Sequence, residues 1–476
     1  MLNGAERILF PLTSIDNHAE LFKLILGGIA MKYYALSAIL SICSVLAIGN
    51  SRTSEAQITC VAPAAWTSHA AVPPPDNDTA PSSNCAFHVW AWNTFLWITQ
   101  PVENGDVRFR SFATLDDLFS DNASAMRFSA LPKEKVLELT VRVNKSFEMQ
   151  GLDSIFQAGR RGVLIHGPGT DSGRAVYYSQ NIDPVFYEFV RTNNFYLPDE
   201  YEKAPANVNF PVGALEFKYS WKIVEEGEDT STFYVTKAEI FLLSETTDST
   251  GKTTVVVDPS KTKTIDVALV GVHVVGVVKD HPEFIWATFE HKDNAPDLPA
   301  GMSMTAAEPV SDREWTFYHK NTPASDSNRN PADNPVVGIK LVDADKQLLA
   351  PMVNVFRAFP FGGGTPENIA NIRSLNESVQ TKVLAGSVWA SYTLVGGVWS
   401  TPNNVSPGAV IAPQLGSVSL ANTTMETFDQ LFPGVNCFAC HRTTEEQADG
   451  ITLPAKNMNL SHIMTNGYFR QRMAGK

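Results

Sequence analysis

Five residues near the C-terminus, Cys437-Phe438-Ala439-Cys440-His441, raise a question of chemistry. Two thiols separated by two residues fit one helical turn, and an imidazole follows directly. Both thiols could add across the vinyl groups of a porphyrin, which would bring His441 under the iron as proximal ligand. A zinc site would need further ligands at finger-like spacing, and no third cysteine partners this pair. A redox dithiol wants the motif after a strand in a βαβ unit, a context missing here. A disulfide between Cys437 and Cys440 would leave His441 without a role. The spacing therefore points to one covalent haem c, held by Cys437 and Cys440 and ligated by His441.

The sixth ligand is open to several candidates. Residues 442–476 are fewer than a free-standing small cytochrome uses to wrap its haem. In the stretch Asn457 to Met464, Met458 and His462 fall on one side of a helical register, whereas His462 and Met464 do not. His462 is the first candidate and Met458 an alternative. The region before the motif then has to cover the distal face, which makes His273, inside the apolar run Val267–Val278, a further candidate. The ordinary role of such a histidine is a neutral, hydrogen-bonded core residue. An open distal position is the remaining reading.

Other constellations are weaker. Between Asp280 and Pro296 lie His281, Glu283, Glu290, His291 and Asp293, but strand alternation sends Glu290 and His291 to opposite faces. A charged strand end is the simpler reading than a metal site. His88 stands on an apolar helical stretch and reads as a structural histidine. Gly362-Gly363-Gly364 lacks the Lys-Ser/Thr of a phosphate loop, and the acidic run at 342–347 lacks the rest of a calcium loop.

The elements that must position these residues are mostly strands. From about 135 to 400, short apolar or alternating runs are separated by Gly, Pro, Asp and Asn clusters, which predicts a β-sandwich or barrel-like domain. The run 85–100 predicts a buried helix, and 184–193 and 366–384 predict helical inserts. Residues 292–335 read as a long polar loop. After Asn404 the texture changes: residues 423–431 predict a helix, Pro433-Gly434 a break, and 459–473 a terminal helix.

From Met31 the chain has a lysine, an apolar stretch to Ile48, and small residues at Ser54 and Ala56 that suit signal peptidase. Residues 1–56 read as a signal peptide preceded by extra N-terminal residues, with cleavage after Ala56 and a periplasmic or secreted product. The apolar run is short for a membrane span, so none is expected in the mature chain. Cys43 leaves with this segment. Cys60 and Cys85 then remain together in an oxidising compartment and predict a disulfide. The segment 57–84 is a Pro/Ser-rich arm. Formal charge is −13, which argues against nucleic acid as a partner.

Three stretches, 91–101, 267–296 and 436–441, together resemble a family of exported bacterial cytochrome c-like proteins in which a large β-rich region precedes a single C-terminal haem motif. The resemblance implies Cys437 and Cys440 as thioether anchors and His441 as proximal ligand; it supplies no substrate. The expected organisation is α+β: a β-rich main domain over 57–404 and a small α-helical, cytochrome c-like haem-binding tail over 405–476. The expected function is an electron carrier, or the electron-accepting module of a redox complex, with redox proteins as partners. The alternative is a haem-dependent oxidoreductase, peroxidase- or oxidase-like, with an open distal site against the β domain.

Overall fold

Alternation of apolar and polar residues between Ala113 and Gly416 builds one sheet of nine strands. The computed structural model describes residues 60–103, 105–120, 137–139, 158–159, 162–169, 171–333 and 338–474, all within one compact unit, Ile58–Lys476. The signal-peptide reading of residues 1–56 lies outside the described residues. The strands are β1 (Ala113–Thr114), β2 (Leu137–Leu139), β3 (Tyr177–Ile182), β4 (Leu215–Ile223), β5 (Val235–Thr247), β6 (Thr253–Val278), β7 (His281–His291), β8 (Tyr392–Ser400) and β9 (Gln414–Gly416). Their main order is β1-β3-β4-β6-β7-β8-β9. The long β6 pairs through its first half with β5 and through its second half with β4 and β7. All these pairings are antiparallel except β2 with β5.

The α+β expectation holds, with antiparallel strands dominating. A two-residue loop, Lys279-Asp280, joins β6 to β7, and Asp280 adopts the left-handed φ of 65° that such a tight connection favours. The strand β9, from the C-terminal segment, pairs with β8 of the main sheet, so the sheet runs across the expected 404/405 boundary.

Each face of the sheet carries its own core. One face packs against helix α1 (Asn84–Ile98) and helix α5 (Pro366–Ser378): Trp92 and Phe95 of α1 meet Phe289 of β7 at ring distances of 4.9 and 4.3 Å. Helix α1 has no polar stripe because sheet, N-terminal arm and α5 surround it. The arm is pinned by the disulfide Cys60–Cys85, with Cα atoms 5.6 Å apart, as expected. The other face packs against helices α3 (Pro184–Thr192) and α4 (Pro198–Lys203) and the C-terminal segment, whose helices are α6 (Cys437–Cys440) and α7 (His462–Ala474). A short helix, α2 (Leu115–Phe119), packs beside α7.

One local expectation fails. Residues 423–431 form turns and no helix. Asn422, Thr423 and Thr424 direct their side chains to local backbone and to the sheet, which competes with helical hydrogen bonding. Residues 314–319 make only a bridge between Trp315 and Tyr318, inside the loop excursion predicted around them.

Candidate functional site

The motif folds as one capped turn. Asn436 precedes it in extended backbone; its Oδ1 accepts from the Phe438 N–H at 3.0 Å, and its Nδ2 donates to Val418 O at 2.9 Å. The His441 N–H closes the turn on Cys437 O at 2.8 Å. Phe438 is buried and meets Trp286 of β7 edge-on at 6.1 Å. The half-buried Cys437 and Cys440 therefore sit on a turn fixed at both ends.

His441 is the most constrained member. Its Nδ1 lies 2.8 Å from Leu460 O and donates there, since a carbonyl only accepts, which fixes the tautomer and the orientation of the ring. Trp286 lies 4.1 Å from its ring and His462 3.9 Å, the latter nearly parallel at 23°. His462 Nε2 also meets Cys440 O at 3.3 Å.

These residues open onto a cleft of about 920 Å³, including open solvent at its mouth. The second sheet face forms the floor, where pairing aligns side chains in rows. One row is polar: Gln180 of β3, Lys218 of β4, His273 of β6 and Thr288 of β7. The next holds Glu216, Val275 and Trp286. Alternation explains this exactly opposed partition: Val272 and Val274 join the α1 side, while His273 and Val275 face the cleft.

The walls are the turns 420–431, a strap over the floor, and the start of α7. Glu290 secures the strap, accepting from Thr423 N–H at 2.8 Å and Thr423 O–H at 2.5 Å and pairing with Arg357 at 2.7 Å. Tyr178 O–H donates to Thr424 O at 2.7 Å, and Ser220 and Thr424 hydroxyls meet at 2.6 Å. Gly271 permits this approach, since a Cβ there would lie 2.5 Å from Ser220 Oγ and 2.8 Å from Thr424 Oγ1. The strap delivers Glu426 to His273, Oε1 to Nε2 at 3.2 Å. On the other side, His273 Nδ1 meets Thr288 Oγ1 at 2.9 Å.

The structure thus brings Cys437, Cys440, His441, His462 and His273 to one cleft. Met458 is fully buried in the core between the sheet and α7. His88 is buried against Asn368 at 2.8 Å, and burial pushes its pKa down to about 4 despite that bond. In the 280–296 stretch each group has a structural partner: His281 meets Glu283 at 2.8 Å, Glu290 takes Arg357 and Thr423, His291 stacks on Phe233 at 3.8 Å, and Asp293 takes Arg313 at 2.5 Å. Among the described residues no group of three or more His, Cys, Asp or Glu is placed to hold a bare metal ion. Sequence reasoning missed Trp286, Glu426 and Thr288; alternation in β7 supplies a signal for Trp286 and Thr288, and none exists for Glu426.

The residues lining the cleft are of the kinds that would hold a haem c. Both thiols of the motif line it, the His441 ring is oriented through Nδ1, and Val275, Trp286, Leu420 and Ile463 give it apolar walls. No family model, curated protein or solved structure matches the chain.

Proposed function

We propose that this is an exported mono-haem c protein that exchanges single electrons with protein partners. The supporting observation is the convergence of Cys437, Cys440 and an oriented His441 on one apolar-walled cleft. A bound haem would supply one-electron Fe(III)/Fe(II) chemistry. Cys437 and Cys440 would hold it through thioethers, and His441 would ligate it through Nε2. Trp286 and His462 hold the His441 ring, while Val275 and Leu420 would give a bound haem an apolar wall. Residues 405–476 then act as the haem-bearing, cytochrome c-like tail, and the β-rich region as scaffold and cover. Of the candidate sixth ligands, His462 is stacked on the His441 ring, Met458 is buried in the core and His273 is held between Thr288 and Glu426, so each would have to move to reach a bound iron. Among the described residues no helix is long and apolar enough to cross a membrane.

The test is co-expression with haem-maturation machinery, denaturation, acid–acetone extraction and the ferrous optical spectrum. Wild type should retain haem after extraction, and Cys437→Ser/Cys440→Ser should lose it. A wild-type chain from which all haem extracts, or which carries none, would refute the reading.

A further inference from the structure

Strand pairing lines up Ile182, Glu216, Val275 and Trp286 across four strands on the cleft face. Three of the four are apolar core residues. Glu216 is the exception, an acid only 7% exposed between Ile182 and Val275. A buried acid costs stability unless it is hydrogen-bonded. One such bond runs to Ser461, whose Oγ lies 2.5 Å from Glu216 Oε2. Lys218, two residues along β4, lines the same cleft, and the strap adds Glu426 and Asp429.

Ser461 is fully buried and immediately precedes α7. A serine at that position commonly turns its side chain back to cap its own helix. This one reaches across to the sheet instead. The consequence falls on the peptide unit between Leu460 and Ser461, which is one rigid plane. Its carbonyl, Leu460 O, accepts from His441 Nδ1 at 2.8 Å. Its N–H, on Ser461, donates to Met458 O at 3.2 Å. Holding Ser461 by its side chain therefore holds the carbonyl that orients the imidazole. Asn459 anchors the preceding side by accepting from Tyr201 O–H at 2.9 Å, but the two rotatable backbone bonds of Leu460 separate it from that carbonyl.

We propose that Glu216, acting through Ser461 and the Leu460 carbonyl, is the positioning residue that sets the reduction potential of an iron held by His441. This rests on the covalent-haem reading above. A carbonyl that holds Nδ1–H raises the basicity of the imidazole as a ligand. A more basic ligand favours Fe(III) over Fe(II), so loosening the anchor raises the potential of the one-electron reduction. The bond to Ser461 carries the effect, since a carboxylate and an amide at position 216 can both accept a hydroxyl hydrogen. It accounts for an acid in a row that is otherwise apolar.

The midpoint potential of the full-length haem protein, read optically while an electrode supplies electrons through mediators, tests the relay. Glu216→Leu and Ser461→Ala each remove one half of the bond. Both should raise the ferrous-to-ferric ratio about tenfold at fixed solution potential, a positive shift of about 59 mV. Glu216→Gln still accepts the Ser461 hydroxyl and should stay close to wild type. Unchanged potentials in Glu216→Leu and Ser461→Ala would overturn the proposal. So would Glu216→Gln moving as far as Glu216→Leu while Ser461→Ala stays put, because charge would then set the potential in place of the bond. Ser461→Ala deletes a single buried oxygen and keeps the test readable if Glu216→Leu does not fold. A wild-type chain without covalent haem would bring down the underlying reading, and the proposal with it.

Discussion

The strap that carries Glu426 depends on one buried ion pair, and breaking it should be costly. Glu290 is fully buried on β7, accepts two hydrogen bonds from Thr423, and pairs with Arg357 at 2.7 Å. Burial alone would lower the Arg357 pKa; Glu290 and Asp297 outweigh it, and the net direction is upward. Removing one partner of such a pair typically costs about 3–5 kcal/mol, because the other charge is left buried. Asp297, half exposed, stays with Arg357 and places Glu290→Gln at the lower end, at about 3 kcal/mol. Arg357→Met leaves the Glu290 carboxylate without its cation and should cost at least as much. The double variant removes both charges and should recover much of the loss. Urea unfolding of the four proteins gives the cycle, with a coupling energy of about 2 kcal/mol expected. Losses that add to within about 0.5 kcal/mol would refute the pair as the fastener of the strap.

Two further predictions concern stability. The disulfide Cys60–Cys85 closes a span of 25 residues, for which the chain-entropy account gives about 3.5 kcal/mol. The double variant Cys60→Ser/Cys85→Ser should therefore melt several degrees lower than wild type, and a thermal melt with and without reductant checks it; equal melting temperatures would mean that the arm is held by packing alone. His88, with its pKa pushed down to about 4 by burial, sets an acid limit. Above its ordinary pKa of 6.5 the ring is neutral in both states; between 6.5 and 4 only the unfolded chain binds the proton, so stability falls by about 3 kcal/mol across that window. Asp183, pushed up to about 6 by burial, works in the opposite sense as pH falls from 6 toward 4, so the His88 contribution is read as a difference. Unfolding midpoints from pH 7 to 4 should drop less steeply in His88→Asn than in wild type; equal slopes would show that His88 takes up its proton in the folded state.

What the chain disclosed depended on how local the determining interaction is. The motif was legible because its chemistry needs two thiols and an imidazole within five residues. Helix α1 and the β6–β7 hairpin were legible from an unbroken apolar run and from alternation. Met458 precedes the terminal helix, as the expected start at 459 implied, but it lies in a 3₁₀ turn, Asn457–Leu460, buried in the core, and α7 begins only at His462. The helix expected over 423–431 was lost to side chains that bond the sheet, partners more than a hundred residues away. His273 was visible as a histidine in an apolar strand, but its clamp was not, since Glu426 lies 153 residues along the chain.

At 476 residues the chain is far longer than electron shuttling needs, which on size alone would favour an enzyme. The packing weakens that argument. The core around the motif is not built by residues 405–476 alone: Phe438, Met458, Leu460 and Ile463 share it with Val275, Trp286, Val395 and Val398 of the sheet. Ser461 bonds Glu216 on the cleft floor at 2.5 Å, and Asn459 accepts from Tyr201 of α4 at 2.9 Å. The carbonyl that orients His441 belongs to Leu460, which lies between those two anchors. A tail separated from the sheet would lose the fixed imidazole as well as its cover, so the large domain is needed for any use of the motif, electron carriage included.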